Sequence, residues 1–142
     1  MGLVFVMLTG CIDASVVGRW EFHDFQRFEI NQGSYSTSEE VGELSVDGGR
    51  DFDFDFEMET ADFGTLAWGL DGTWEGVGDG LFRFDARGEI RFTNRYGQLA
   101  GLDLQGNWDC TPAGDRMDCV GALDAPEEAD ETYSFEIDFS KR

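Results

Sequence analysis

From Asp51 to Glu59 the chain alternates without a break: Asp, Phe, Asp, Phe, Asp, Phe, Glu, Met, Glu. Successive side chains of an extended strand point to opposite faces, so this period sets Phe52, Phe54, Phe56 and Met58 against five carboxylates. A helix of the same residues would scatter both sets around its axis. The segment reads as a strand with one face in an apolar core and one in water. Three phenylalanines in a row on an open face would invite aggregation, which argues that they point inward.

The same period recurs along the chain between turn signals. Trp20 and Phe22 share a face, and Phe28 and Ile30 resume it after an irregularity expected at His23-Asp24. Residues 31–43 are polar and read as a long loop, and Leu44 and Val46 lead into the hairpin signal Asp47-Gly48-Gly49. Asp71-Gly72 and Asp79-Gly80 read as turns bracketing Trp74, and Gly88 as a further turn between Phe82/Phe84 and Ile90/Phe92. Leu102 and Leu104 lead to Gly106 and Trp108, residues 124–131 form an acidic loop, and Tyr133, Phe135, Ile137 and Phe139 mark a last strand. No amphipathic helix is visible. About eight to ten short strands in series argue an all-β fold: a small antiparallel meander barrel, with a β-sandwich as the alternative. Thirteen Phe and four Trp supply the apolar area for one core, while nineteen Gly and two Pro suit strands joined by tight turns.

The N-terminus carries a different kind of signal. Leu3–Leu8 is an apolar run followed by Thr9, Gly10 and Cys11. It is far shorter than the about 20 residues a membrane-spanning helix needs, and it reads as the core of a secretion signal. The tetrapeptide Leu8-Thr9-Gly10-Cys11 resembles the lipobox of bacterial lipoproteins. The resemblance implies acylation of Cys11 and cleavage before it, giving a signal segment at 1–10, a lipid-anchored tether at 11–16 and an acidic all-β domain at 17–142. Ile12 stands where an inner-membrane retention signal would place Asp, so the resemblance implies the bacterial envelope and sorting to the outer membrane. No Lys or Arg precedes the apolar run, and translation is expected to start upstream of Met1. Of three cysteines, lipidation of Cys11 leaves Cys110 and Cys119. Residues 111–118 between them contain Pro112 and Ala113-Gly114-Asp115, turn chemistry that can bring two strands and two sulfurs together as a disulfide.

Gly-x-Trp occurs at Gly18–Trp20, Gly72–Trp74 and Gly106–Trp108, too unequally spaced for a solenoid. The first, opening the first strand, resembles the signature of lipocalins, in which the tryptophan closes one end of the barrel. The stretch from Gly72 to Leu81 resembles lipocalin-like domains of bacterial lipoproteins. We therefore expect Trp20, Phe52, Phe54, Phe56, Trp74 and Trp108 as barrel-closing and core residues.

The net charge of −20, with Lys141 the only lysine, repels polyanions and argues against nucleic acid as a partner. Nothing assembles into catalytic machinery. His23 is the only histidine, and no glycine-rich phosphate loop links a strand to a helix. So many acids make any carboxylate pair uninformative. Asp51, Asp53 and Asp55 have the spacing of a calcium loop, but Phe56 and Asp62 occupy the positions that need Gly and Glu, so no metal site and no cofactor are expected. Two functions remain for a membrane-anchored, non-enzymatic lipoprotein. One is a lipocalin-like barrel holding a small apolar ligand. The other is an envelope structural or interaction protein with a solid barrel and an acidic outside that meets a cationic protein partner.

Overall fold

The structure, a computed structural model, describes residues 16–30, 33–34, 37–60, 64–93, 97, 99–126 and 131–142. Its strands are β1 (Gly18–Ile30), β2 (Gly33–Ser34), β3 (Thr37–Val46), β4 (Asp51–Thr60), β5 (Gly64–Gly78), β6 (Leu81–Thr93), β7 (Leu99–Ala113), β8 (Arg116–Asp124) and β9 (Thr132–Lys141). From β3 to β9 each strand pairs antiparallel with the next, and β1 joins β3 on one side and β9 on the other. β2 is a two-residue flap on the end of β1. The result is a closed, eight-stranded antiparallel meander barrel, as the period-two pattern predicts. A sandwich is ruled out because one ladder runs round the wall and closes on itself through the pairing of β1 with β3 and β9.

Local features fix the ends of most strands. Between β3 and β4, the Asp47 carboxylate accepts from the Gly49 N–H at 3.0 Å, and Arg50 takes a φ of +78°. Asp79-Gly80 and Gly114-Asp115 turn the chain between β5 and β6 and between β7 and β8. β1 carries bulges between Phe22 and Asp24 and between Phe25 and Arg27 in its pairing with β9. The first is the irregularity expected at His23-Asp24.

Several expected turns and loops are strand instead. Thr37–Glu43, read as loop, belongs to β3, because pairing with the strongly patterned β4 overrides a polar composition. Asp71-Gly72 lies inside β5 and Gly88 inside β6. Both glycines serve close strand approach rather than turning: a Cβ would stand 1.9 Å from the Asp85 carbonyl oxygen at Gly72, and 2.0 Å from that of Gly69 at Gly88. Pro112 and Ala113 likewise end β7 rather than forming the turn.

The inward face is apolar on every long strand. Phe52, Phe54, Phe56 and Met58 are buried on β4, and Tyr133, Phe135, Ile137 and Phe139 on β9. Across the barrel, the Phe54 ring meets those of Trp68, Trp108 and Phe139 with centroids 6.3, 6.0 and 5.6 Å apart. Small inward residues stand side by side at Gly72, Ala86 and Gly106, on β5, β6 and β7, which leaves room for these rings.

Candidate functional site

The interior comes first, because an eight-stranded barrel either fills itself or encloses one ligand. Here the rings interlock. Trp108 stacks on Phe84 at 5.7 Å with 10° between planes, and meets Phe52 and Phe135 edge-on at 5.3 and 5.8 Å. Trp68 packs on Phe28, Phe56 and Phe135 at 5.6–6.0 Å. All six residues expected as core, namely Trp20, Phe52, Phe54, Phe56, Trp74 and Trp108, are at most 3% exposed. The grooves described below run over the outer wall. Only two buried side-chain polar atoms lack an acceptor among the described residues, the indole nitrogens of Trp68 and Trp108. Their neighbours are phenylalanine rings, whose faces are weak acceptors.

Two other tryptophans pack at one end of the barrel. Trp20 donates its indole N–H to the Val16 carbonyl at 2.9 Å, and the Lys141 ammonium lies 5.2 Å from the centre of its ring. Trp74 donates to the Asp47 carbonyl at 2.9 Å under the Arg50 guanidinium, pinning the β3–β4 hairpin to β5. These contacts place the start of the described chain, its end at Arg142 and the β3–β4, β5–β6 and β7–β8 turns at one end of the barrel. Cys110 and Cys119 face each other directly across β7 and β8, fully buried, with a 2.02 Å bond between sulfurs. The expected disulfide is present. Cys11 and the signal segment lie outside the described residues, and His23 is exposed at the first β1 bulge.

The outer wall is acidic. A barrel that spans a bilayer turns an apolar band outward, and this one turns carboxylates outward and phenylalanines inward. Register lines the acids up across strands. One row runs from Glu21 on β1 through Glu43, Asp55 and Gly69 to Glu89 on β6 and Asp103 on β7. The next holds Val41, Glu57, Ala67 and Arg91. Like charges directly opposite repel. Arg142 relieves one such pair, reaching Glu21 at 3.0 Å and Glu43 at 2.6 Å. Arg91 bonds Glu89 at 2.7 Å, and Arg116 bonds Asp138 beside Asp118. Arg83 holds Asp109 through two hydrogen bonds of 2.8 and 3.1 Å, which raises the guanidinium pKa further. Asp55 and Glu57 have no ion-pair partner among the described residues.

Where these rows cross β3, β4 and β5, a groove of about 760 Å³ opens on the outside. Its middle is low because Ala67 and Gly69 have little or no side chain, while the acids stand at its rim. Val41, 71% exposed, lies at one edge. There too the β1–β3 ladder stops at Glu21 and Glu43, and Phe22–Gln26 have no partner on β3 among the described residues. Sequence reading found the acids of β4 but neither their neighbours nor the groove, since both depend on strand register. Among the described residues, no three of His, Cys, Asp and Glu converge as metal ligands. Comparison of the chain with protein-family models, with curated proteins and with solved structures finds no match.

Proposed function

We propose that this chain is a lipid-tethered, non-catalytic module of the bacterial envelope that works through its acidic outer wall, by binding a cationic protein partner. The observation that carries this reading is the inversion of roles between the two faces. Aromatic side chains fill the interior where a small apolar ligand would lie, and the chemistry available to a partner is carboxylate on the outside. A net charge of −20 steers cationic molecules to such a surface and repels anionic ones.

The tether fits the same reading. Four residues lie between Cys11 and Val16, and the five Cα–Cα steps reach at most about 18 Å. A lipid on Cys11 would therefore hold the Trp20 end, with its hairpin turns and Arg142, close to the bilayer. The outer wall would then stand roughly perpendicular to the membrane, open to proteins in the same compartment.

Two experiments test this. Native protein should incorporate labelled fatty acid and partition into detergent, and Cys11→Ser should abolish both. Unmodified Cys11 in native, soluble protein would refute the anchor. Native mass spectrometry of protein from its own membrane should show the lipidated chain without a small ligand. A stoichiometric apolar ligand would transfer the function to the interior and overturn the filled-barrel reading.

A further inference from the structure

The outer wall is acidic over much of its surface, but it is not uniform, and the groove over β3, β4 and β5 differs from the rest in three ways. Its centre carries only small side chains at Ala67 and Gly69, so a guest could lie close to the sheet. It sits where the β1–β3 ladder stops, and the exposed Val41 offers an apolar contact there. It also already holds a guanidinium, because Arg142 lies between Glu21 and Glu43 at 3.0 and 2.6 Å. The chain's own terminal arginine shows how a basic side chain seats on this row. Asp55 and Glu57, the next acids along, have no such partner among the described residues.

We propose that this groove is the docking surface for an extended basic segment of a partner protein, with arginine or lysine side chains on Asp55 and Glu57 and an apolar side chain against Val41. The inference rests on the outer wall being the working surface, and adds where the partner binds and in what shape. The dimensions agree. Asp55 and Glu57 stand two residues apart on β4, about 6.7 Å, with Val41 opposite Glu57 on β3 and Gly69 and Ala67 beside them on β5. An extended guest lying along β4 presents a side chain to the wall at the same ~6.7 Å interval. The guest must carry its charge spread along its length. Acids spaced in this way along one strand suit several side chains, whereas a single small cation needs ligands converging on one point.

The test uses the full chain in detergent and a fluorescein-labelled peptide, Arg-Ser-Arg-Ser-Val-Ser, which sets two arginines and a valine on one face, read by anisotropy at low salt. Gly69→Gln fills the groove without altering charge. A Cβ there meets nothing closer than the Asp55 carboxylate at 3.9 Å, so the fold should tolerate it. We expect Gly69→Gln, and separately Asp55→Asn with Glu57→Gln, to weaken binding by about fivefold or more. Asp85→Asn with Asp118→Asn removes the same charge from the wall of β6 and β8, and should weaken it less than about twofold. Equal loss in the two charge-matched pairs, with Gly69→Gln binding as the native chain does, would overturn the groove while leaving the acidic wall as the working surface. No binding of the peptide by the native chain at low salt would overturn both.

Discussion

Truncating Phe54 to alanine asks directly whether the barrel is solid. Phe54 is 1% exposed, and its ring meets Phe56, Phe139, Trp108 and Trp68 at centroid separations of 5.9, 5.6, 6.0 and 6.3 Å. Phe→Ala in a packed core costs about 3–5 kcal/mol, through lost transfer energy and the void left behind. Four aromatic neighbours put this site near the top of that range, because each pairing adds about 0.5–1.5 kcal/mol beyond area burial. Neighbours on β4, β5, β7 and β9 cannot all move in when the strands that carry them are hydrogen-bonded into a closed wall. We expect a loss of about 4–5 kcal/mol, against about 5–15 kcal/mol for a typical domain. With a urea slope near ~2 kcal/mol/M, the midpoint should fall by roughly 2 M with little change in slope. The void would be lined by aromatic rings and dry, so saturating benzene should raise the melting temperature of the variant and not of the native protein. A loss under about 1.5 kcal/mol would mean that the ring borders free space rather than filling it. The interior would then again be the candidate binding site.

Gly72→Ala should cost roughly 2–4 kcal/mol, since its Cβ would press on the Asp85 carbonyl at a backbone φ of +156°. A near-neutral melting shift would show that β5 and β6 are further apart than described. Replacing Cys110 and Cys119 by alanine should lower stability by about 2–3 kcal/mol, the loop-closure expectation for a sequence separation of 9. Two alkylatable thiols in the unreduced exported protein would refute the bond. Burial, followed by a hydrogen bond to Glu131 and that carboxylate's charge, holds the Tyr133 pKa above its ordinary value of 10.0. The folded pKa exceeds the unfolded one, so this contribution is complete below about pH 10 and is lost as the pH climbs through the folded value. Tyr133→Phe should therefore flatten the alkaline limb of the stability curve, and an unchanged limb would rule the tyrosine out. Stability should rise smoothly with ionic strength, and Asp53→Asn with Asp55→Asn should stabilise by ~0.5 kcal/mol, because Asp53 faces Asp71 and Asp55 faces Glu43. A saturable effect of micromolar calcium, lost in that double variant, would show that the face is a metal site.

The core was legible because its signal is local. Phe52 through Met58 and Tyr133 through Phe139 alternate with acids and serines over a few residues, and no partner strand is needed to see which side is buried. The disulfide was legible for a related reason. Cys110 and Cys119 flank one short hairpin, and lipidation of the third cysteine would leave them to each other. Glycine misled because it has two uses. Asp71-Gly72 and Gly88 resemble turns in sequence, yet the residues that explain them, Asp85 and Gly69, sit on neighbouring strands. Asp79-Gly80 has the same composition as Asp71-Gly72 and does turn. Only the pairing of β5 with β6 separates the two cases.

The groove was illegible for a stronger version of that reason. Glu21, Glu43, Asp55, Gly69 and Glu89 are dispersed over nearly seventy positions of sequence, and each looks like one more solvated acid or one more strand glycine. A slip of one residue in any of four pairings would turn part of the row inward and scatter the rest. The row exists because inward-facing phenylalanine, leucine and tryptophan on each strand select a single register, with Leu44 beside Phe54, Phe54 beside Leu70 and Leu70 beside Gly88. The core thus does two things at once: it packs the inside with side chains and it sets which charges meet on the outside. It follows that core substitutions that preserve register should leave the outer wall's binding intact even where they cost stability, and Phe54→Ala, studied below its unfolding transition, should still bind the arginine–valine peptide as the native chain does.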